Sequence, residues 1–142
     1  DDVKKDQVAV MGWSNGGSTT LWMINEPSDF KVAIAFYPGC KRSLEKHGWK
    51  NTIPLEIIMG ELDNWSYPGF CKDLLAKHTD GPSFNLTLYP DSYHDFDSPN
   101  MKLQKRTGIA ATPDHTAMLG TNEVAREKAI IKVDEILKQE GN

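Results

Sequence analysis

Residues 8–18 read Val8-Ala9-Val10-Met11-Gly12-Trp13-Ser14-Asn15-Gly16-Gly17-Ser18, and their order decides the fold. A short apolar run suits a strand buried on both faces. Gly-x-Ser-x-Gly follows, and residues 15–25 can then run as a helix until Pro27 closes it. In so tight a strand–turn–helix the apex residue is strained. Residues two before and two after it must lack side chains, an expectation that falls on Gly12 and Gly16. Ser14 then projects its hydroxyl above the sheet. The N–H of Asn15, at the helix start, faces the place where an attacked carbonyl would gather negative charge. A phosphate-binding loop would need another glycine spacing and a Walker lysine, which this segment lacks.

Outward from this turn, strand and helix patterns alternate. The first strand is read over Gln7 to Met11, and Leu21, Trp22 and Ile24 supply the buried side of the helix after the turn. Val32 to Tyr37 is a second strand, stopped by Pro38-Gly39. Leu55 to Gly60 is a third, introduced by Pro54, and Phe84 to Tyr89 a fourth, ended by Pro90-Asp91. Residues 41–52 are polar and irregular, and a helix is expected at about 69–78. Residues 97–121, rich in Pro, Thr, Gly and Lys without a period, predict an ordered loop with at most a short helical turn. The last helix starts from Asn122 as N-cap and ends at Gly141. Its apolar stripe is Val124, Ala125, Ala129, Ile130, Val133, Ile136 and Leu137. The pattern predicts an α/β domain, a parallel sheet of about four strands with right-handed crossovers and flanking helices.

At 142 residues the chain is a single domain, 39% apolar and 25% charged, as ordinary globular proteins are. A net charge of −4 without a basic cluster argues against nucleic acid as the main partner, and no apolar run approaches a membrane span. The chain opens on Asp1-Asp2-Val3 rather than Met, so an upstream portion is expected.

In a parallel sheet, functional groups gather in loops at the C-terminal strand ends. Ser14 lies in the first such loop, Asp63 in the third (Gly60-Glu61-Leu62-Asp63) and His94 in the fourth (Tyr89-Pro90-Asp91-Ser92-Tyr93-His94-Asp95-Phe96). A serine hydroxyl becomes a useful nucleophile when an imidazole takes its proton. The imidazole in turn needs a carboxylate on its other nitrogen. His47 and His78 follow no strand end, which leaves His115 as the rival base. Asp91, Asp95 and Asp97 are too near His94 in sequence to reach its far nitrogen. Trp13, Trp65, Tyr67, Tyr93 and Phe96 lie beside these residues and could line an acyl pocket or simply pack. Trp13, Trp65 and Tyr93 are the substrate-binding candidates.

The segments Val10–Gly17, Ala35–Cys40, Gly60–Trp65 and Tyr89–Asp97 together resemble the C-terminal part of dienelactone hydrolase family proteins, within the α/β-hydrolase superfamily. The resemblance implies nucleophile, acid and base at Ser14, Asp63 and His94. The founding enzymes carry cysteine at the nucleophile position, so Ser14 favours a serine esterase acting on a small ester or lactone. No metal or organic cofactor is implied. A peptidase of the same superfamily and a catalytically silent assembly module are the competing readings. Family members have about eight strands, of which these four resemble the last. The first strand would then be an unpaired edge, covered by missing N-terminal strands or by a second copy, and the loop that donates the second oxyanion N–H would be absent.

Cys40, just past the second strand, and Cys71, at the start of the helix after the third strand, lie on one rim of the sheet within disulfide reach, although both could equally be free buried thiols. A bridge would point to a periplasmic or secreted protein, free thiols to the cytoplasm. Asn64-Trp65-Ser66 and Asn85-Leu86-Thr87 fit the glycosylation pattern.

Overall fold

The computed structural model describes residues 4 and 6–140. Four strands form a parallel sheet in the order β1 (Ala9–Trp13), β2 (Val32–Phe36), β3 (Leu55–Gly60) and β4 (Phe84–Tyr89). Crossover helices α1 (Asn15–Met23), α2 (Lys41–Glu45) and α3 (Pro68–Ala76) join them, and α4 (Glu123–Glu140) closes the described chain. With each strand beside its sequence neighbour, right-handed connections put α1 to α3 on one face. Lys132 of α4 pairs with Glu56 of β3 at 3.5 Å, which places α4 against the other face. Buried Glu56 also accepts a hydrogen bond from the Thr87 hydroxyl at 2.6 Å, so this carboxylate inside the sheet is not left without partners.

The two central strands are buried along their whole length, as parallel strands covered on both faces must be. Among the described residues β1 pairs with β2 alone and is an edge, its residues half-buried from Ala9 to Met11. It lies two residues later than the Gln7–Met11 reading. A turn at Asp6-Gln7 precedes it, and the pairing of Gly12 with Ala35 and Trp13 with Phe36 carries the ladder to the elbow itself.

Three further expectations are corrected. Trp22 is 43% exposed, because positions 17, 20, 21 and 24 face the sheet and Trp22 is turned away from them, where Lys46 lies 4.8 Å from its ring. Residues 41–45, expected to be irregular, form the short helix α2, a span too brief to register a 3.6-residue period. The 97–121 segment contains an antiparallel hairpin, β5 (Gln104–Thr107) with β6 (Thr116–Leu119). All of β5 is exposed and polar, so no alternation marks it. Only β6 alternates, burying Ala117 and Leu119.

Asn122 caps α4 as expected, its Oδ1 accepting from the Ala125 N–H at 3.2 Å. The helix buries Ala125 and Ala129 and packs Val133 and Ile136 against the core, while Val124, Ile130 and Leu137 are exposed. The buried stripe is therefore narrower than expected. Gly141, expected to end the helix, lies outside the described residues.

Cys40 and Cys71 form a disulfide with Cα atoms 5.1 Å apart, joining the end of β2 to α3. It closes a loop of sequence separation 31, and the chain-entropy account assigns such a bridge about 3–4 kcal/mol. Replacing both cysteines by alanine should lower the unfolding free energy by roughly that amount, measured by denaturant unfolding. A loss below about 1 kcal/mol would show that the bridge is incidental to stability.

Candidate active site

The elbow is built by backbone crowding. Ser14 sits at φ 51° and ψ −115° between β1 and α1, a left-handed conformation costly for a residue with a side chain. Its N–H donates to the Phe36 carbonyl at 2.9 Å, while its own carbonyl accepts from Ser18 N–H at 2.9 Å. A Cβ on Gly12 would fall 2.3 Å from the Gly16 carbonyl oxygen, so that position requires glycine. Gly16 differs from expectation: a Cβ there would meet nothing within 4 Å. The second glycine the turn needs is Gly17, whose Cβ would lie 2.8 Å from the Phe36 carbonyl oxygen. Gly16 contributes its carbonyl to the crowding, while its side-chain direction is open. The Asn15 N–H lies in the first turn of α1, where helical N–H groups have no intrahelical acceptor.

The third and fourth loops are tied to each other. A Cβ on Gly60 would fall 2.2 Å from the Ser92 carbonyl oxygen, so glycine at the end of β3 is what lets the loop after β4 come so close. Glu61 N–H donates to Tyr89 O at 2.8 Å and Leu62 N–H to Ser92 O at 2.9 Å. Asp63 and His94 are thereby brought together, 2% and 1% exposed.

The three expected residues form one chain of hydrogen bonds. His94 Nε2 is 3.0 Å from Ser14 Oγ, and His94 Nδ1 is 2.8 Å from Asp63 Oδ2. Asp63 Oδ1 accepts from the N–H groups of Trp65 and Ser66 at 2.9 and 2.8 Å, so both carboxylate oxygens are engaged. With Nδ1 facing a carboxylate, the neutral imidazole carries its proton there and presents the lone pair of Nε2 to the serine hydroxyl. Trp65 stacks on the His94 ring at 4.8 Å, and Tyr37 packs against it at 4.4 Å.

The hairpin of the 97–121 segment completes the scaffold. His94 forms a β-bridge with Leu119, and its carbonyl accepts from Gly120 N–H at 3.1 Å. Met118 N–H donates to Asn64 Oδ1 at 2.9 Å, beside Asp63. Asn122, besides capping α4, donates from Nδ2 to Asp91 O at 3.1 Å and Ser92 Oγ at 3.0 Å. The hairpin and the second role of Asn122, holding the loop after β4, are what the sequence reading missed. The Asn122 cap was readable, but its second set of partners was not.

The other candidates fall as follows. His115 is exposed in the hairpin turn, and neither His47 nor His78 belongs to this hydrogen-bond chain. Trp13 is 46% exposed and stacks on Phe36 at 5.4 Å, with its indole N–H donating to Asp97 at 2.8 Å. Trp65 and Tyr93 are half-buried beside His94. Tyr67 is 63% exposed and meets Phe70 edge-on. Phe96 is no pocket wall: it is fully buried among Phe36, Tyr37 and Tyr89. A cleft of about 480 Å³ lies elsewhere, between the 43–50 segment and the end of α3, and holds none of the three.

The dienelactone hydrolase family profile matches residues 1–141. The chain belongs to that family. Among solved structures it is similar to a dienelactone hydrolase-like promiscuous phosphotriesterase from metagenomic libraries, at 17% identity and TM-score 0.69 over 97% of this chain and 54% of that one. A dienelactone hydrolase structure from Klebsiella pneumoniae aligns at 14% identity and TM-score 0.64, over 92% of this chain and 51% of that one. An acylaminoacyl peptidase from Pyrococcus horikoshii aligns at 14% identity and TM-score 0.59, over 97% of this chain and 25% of that one. At these identities the likeness speaks to the α/β-hydrolase fold. The chain spans about half the length of the two dienelactone hydrolase-like structures. No curated protein sequence matches it.

Proposed function

We propose that this member of the dienelactone hydrolase family hydrolyses a small carboxylic ester or lactone through an acyl-enzyme on Ser14. The observation that carries the reading is the continuous chain from Ser14 Oγ through His94 to Asp63, with links of 3.0 and 2.8 Å. Ser14 Oγ attacks the substrate carbonyl carbon while His94 Nε2 takes the hydroxyl proton. The imidazolium so formed is stabilised by Asp63, and the developing oxyanion by the Asn15 N–H. The carbonyl re-forms, the C–O bond to the leaving alcohol breaks, and His94 returns the proton to it. Water activated by His94 then attacks the acyl-serine, and the same steps release the acid. Trp13, Trp65 and Tyr93 flank the acyl group as apolar walls. No step calls on a metal or an organic cofactor.

One observation favours a role for further polypeptide. β1 is an edge with half-buried apolar residues, and Asn15 is the one oxyanion donor argued for this chain. Losing one such donor typically costs about 10²–10³ in turnover. The reading is that additional strands pair with β1 in the working protein and bring the second donor. Without them the chain would act as a poor catalyst, or as the silent assembly module.

Two measurements check these readings. In a protein active on p-nitrophenyl esters, Ser14→Ala should abolish fluorophosphonate labelling, and His94→Ala should lower turnover at least about 10³-fold. His115→Ala should leave turnover nearly unchanged. Labelling that survives Ser14→Ala, or a large loss confined to His115→Ala, would overturn the assignment. Light scattering on residues 1–142 alone should find self-association, with turnover on the order of 10²-fold below a longer form carrying upstream strands. A stable monomer of equal turnover would contradict the role given to the β1 edge.

A further inference from the structure

Asp97 takes no part in the chain from Ser14 to Asp63, yet both its oxygens are engaged next to it. Oδ1 accepts from the Tyr37 hydroxyl at 2.7 Å and Oδ2 from the Trp13 indole N–H at 2.8 Å. Its backbone carbonyl accepts from Arg126 Nε at 3.0 Å. One residue therefore joins the end of β1, the end of β2 and α4. Its two carboxylate donors flank the reacting groups: Trp13 directly precedes Ser14, and the Tyr37 ring lies 4.4 Å from the His94 ring.

Tyr37, and Ser14 next to Trp13, are held in conformations that need support. Tyr37 has φ 35°, unfavourable for a residue with a side chain, and Ser14 has φ 51°. Burial, then the charge of Asp97 and the hydrogen bond to it, with Asp95 adding to both, push the Tyr37 hydroxyl far above the ordinary tyrosine range, so it stays a donor. Trp13 has its polar edge fixed by Asp97 and its ring stacked on Phe36 at 5.4 Å, which sets the direction in which the chain enters the Ser14 turn.

We propose that Asp97 is a positioning residue for the hydrolysis. By accepting from Trp13 and Tyr37 at once, it locks the Ser14 turn and the ring packed on His94 to a common point, and so holds Ser14 Oγ at proton-transfer distance from His94 Nε2. The proposal rests on Ser14 and His94 acting as nucleophile and base. A carboxylate suits the place best, because each of its oxygens accepts from one of the two donors with a charge-assisted hydrogen bond. An asparagine of the same shape can accept from the Trp13 indole through its oxygen, but it meets the Tyr37 hydroxyl with an NH₂, so that link must reverse and both links lose their charge-assisted strength.

The test compares Asp97→Asn and the milder Tyr37→Phe, which keeps the ring, with the unsubstituted protein. The readouts are the second-order rate of fluorophosphonate labelling, kcat and KM on a p-nitrophenyl ester, thermal midpoint, and the low-field proton resonance of His94 Nδ1. A displaced nucleophile should slow labelling and kcat by about 10–100-fold. KM should move by less than about twofold, the signature of an interaction that matters in the transition state alone. The His94 resonance should broaden in both variants while the thermal midpoint stays near that of the unsubstituted protein. Labelling within about twofold of the unsubstituted protein with the resonance unmoved, or a rise in KM alone, would overturn the proposal. Should the unsubstituted protein itself resist labelling, the acyl-transfer reading falls and the positioning role for Asp97 falls with it, whereas normal labelling of the unsubstituted protein with unaltered variants overturns the positioning role alone.

Discussion

The upper rim of the sheet depends on one close approach, the Ser92 carbonyl lying against the α-carbon of Gly60. A side chain at residue 60 would put a Cβ 2.2 Å from that oxygen. Because glycine stands there, the loop after β4 crosses directly over the end of β3, and the bonds from Glu61 and Leu62 to Tyr89 and Ser92 become possible. Those bonds place Asp63 and His94, 31 residues apart, within 2.8 Å of each other. The elbow uses the same device at Gly12 and Gly17, where backbone meets backbone and Ser14 is forced into its left-handed conformation. Each side chain of the proposed triad is thus placed by contacts of main chain on main chain, which have little freedom to relax.

Burial raises the stakes of this arrangement. A carboxylate and an imidazole removed from water are tolerable only when their hydrogen-bonding capacity is met. Asp63 meets it with two backbone donors and His94, and His94 with Asp63 and Ser14. Tyr37 and Trp65 pack on the imidazole ring, and the hairpin fixes its backbone through Leu119 and Gly120. The His94 imidazole is restrained along its ring plane, across its faces and through its main chain, as the proposed proton transfer requires.

Much of this was legible in the residues, for identifiable reasons. β2 is apolar without interruption and was read to within one residue, while β3 and β4, which carry Glu56, Asn85 and Thr87, were read with their observed limits because Pro54 and the Gly60 turn bracket the one and Pro90-Asp91 ends the other. The elbow carries its constraint in its glycines, although the burden falls on Gly17 rather than Gly16, which no spacing rule reveals. The hairpin was hidden because β5 is a fully exposed, polar strand, and α2 because five residues are too few to show a period. Asp97 escaped notice for a subtler reason. Proximity in sequence to His94 excluded it from the far nitrogen, correctly, but said nothing of Trp13 and Tyr37, which only the sheet order brings to it. Side-chain partners across strands belong to topology, and a single sequence carries them weakly.

The account turns on Ser14 as the group that is acylated. Brief exposure of the protein to p-nitrophenyl acetate, acid quenching and peptide mapping by mass spectrometry tests this most directly. A single acetyl group on the peptide containing Ser14, absent when His94 is replaced by alanine, is the predicted result. Acetylation confined to lysines, or on Ser14 at the same rate without His94, would contradict it.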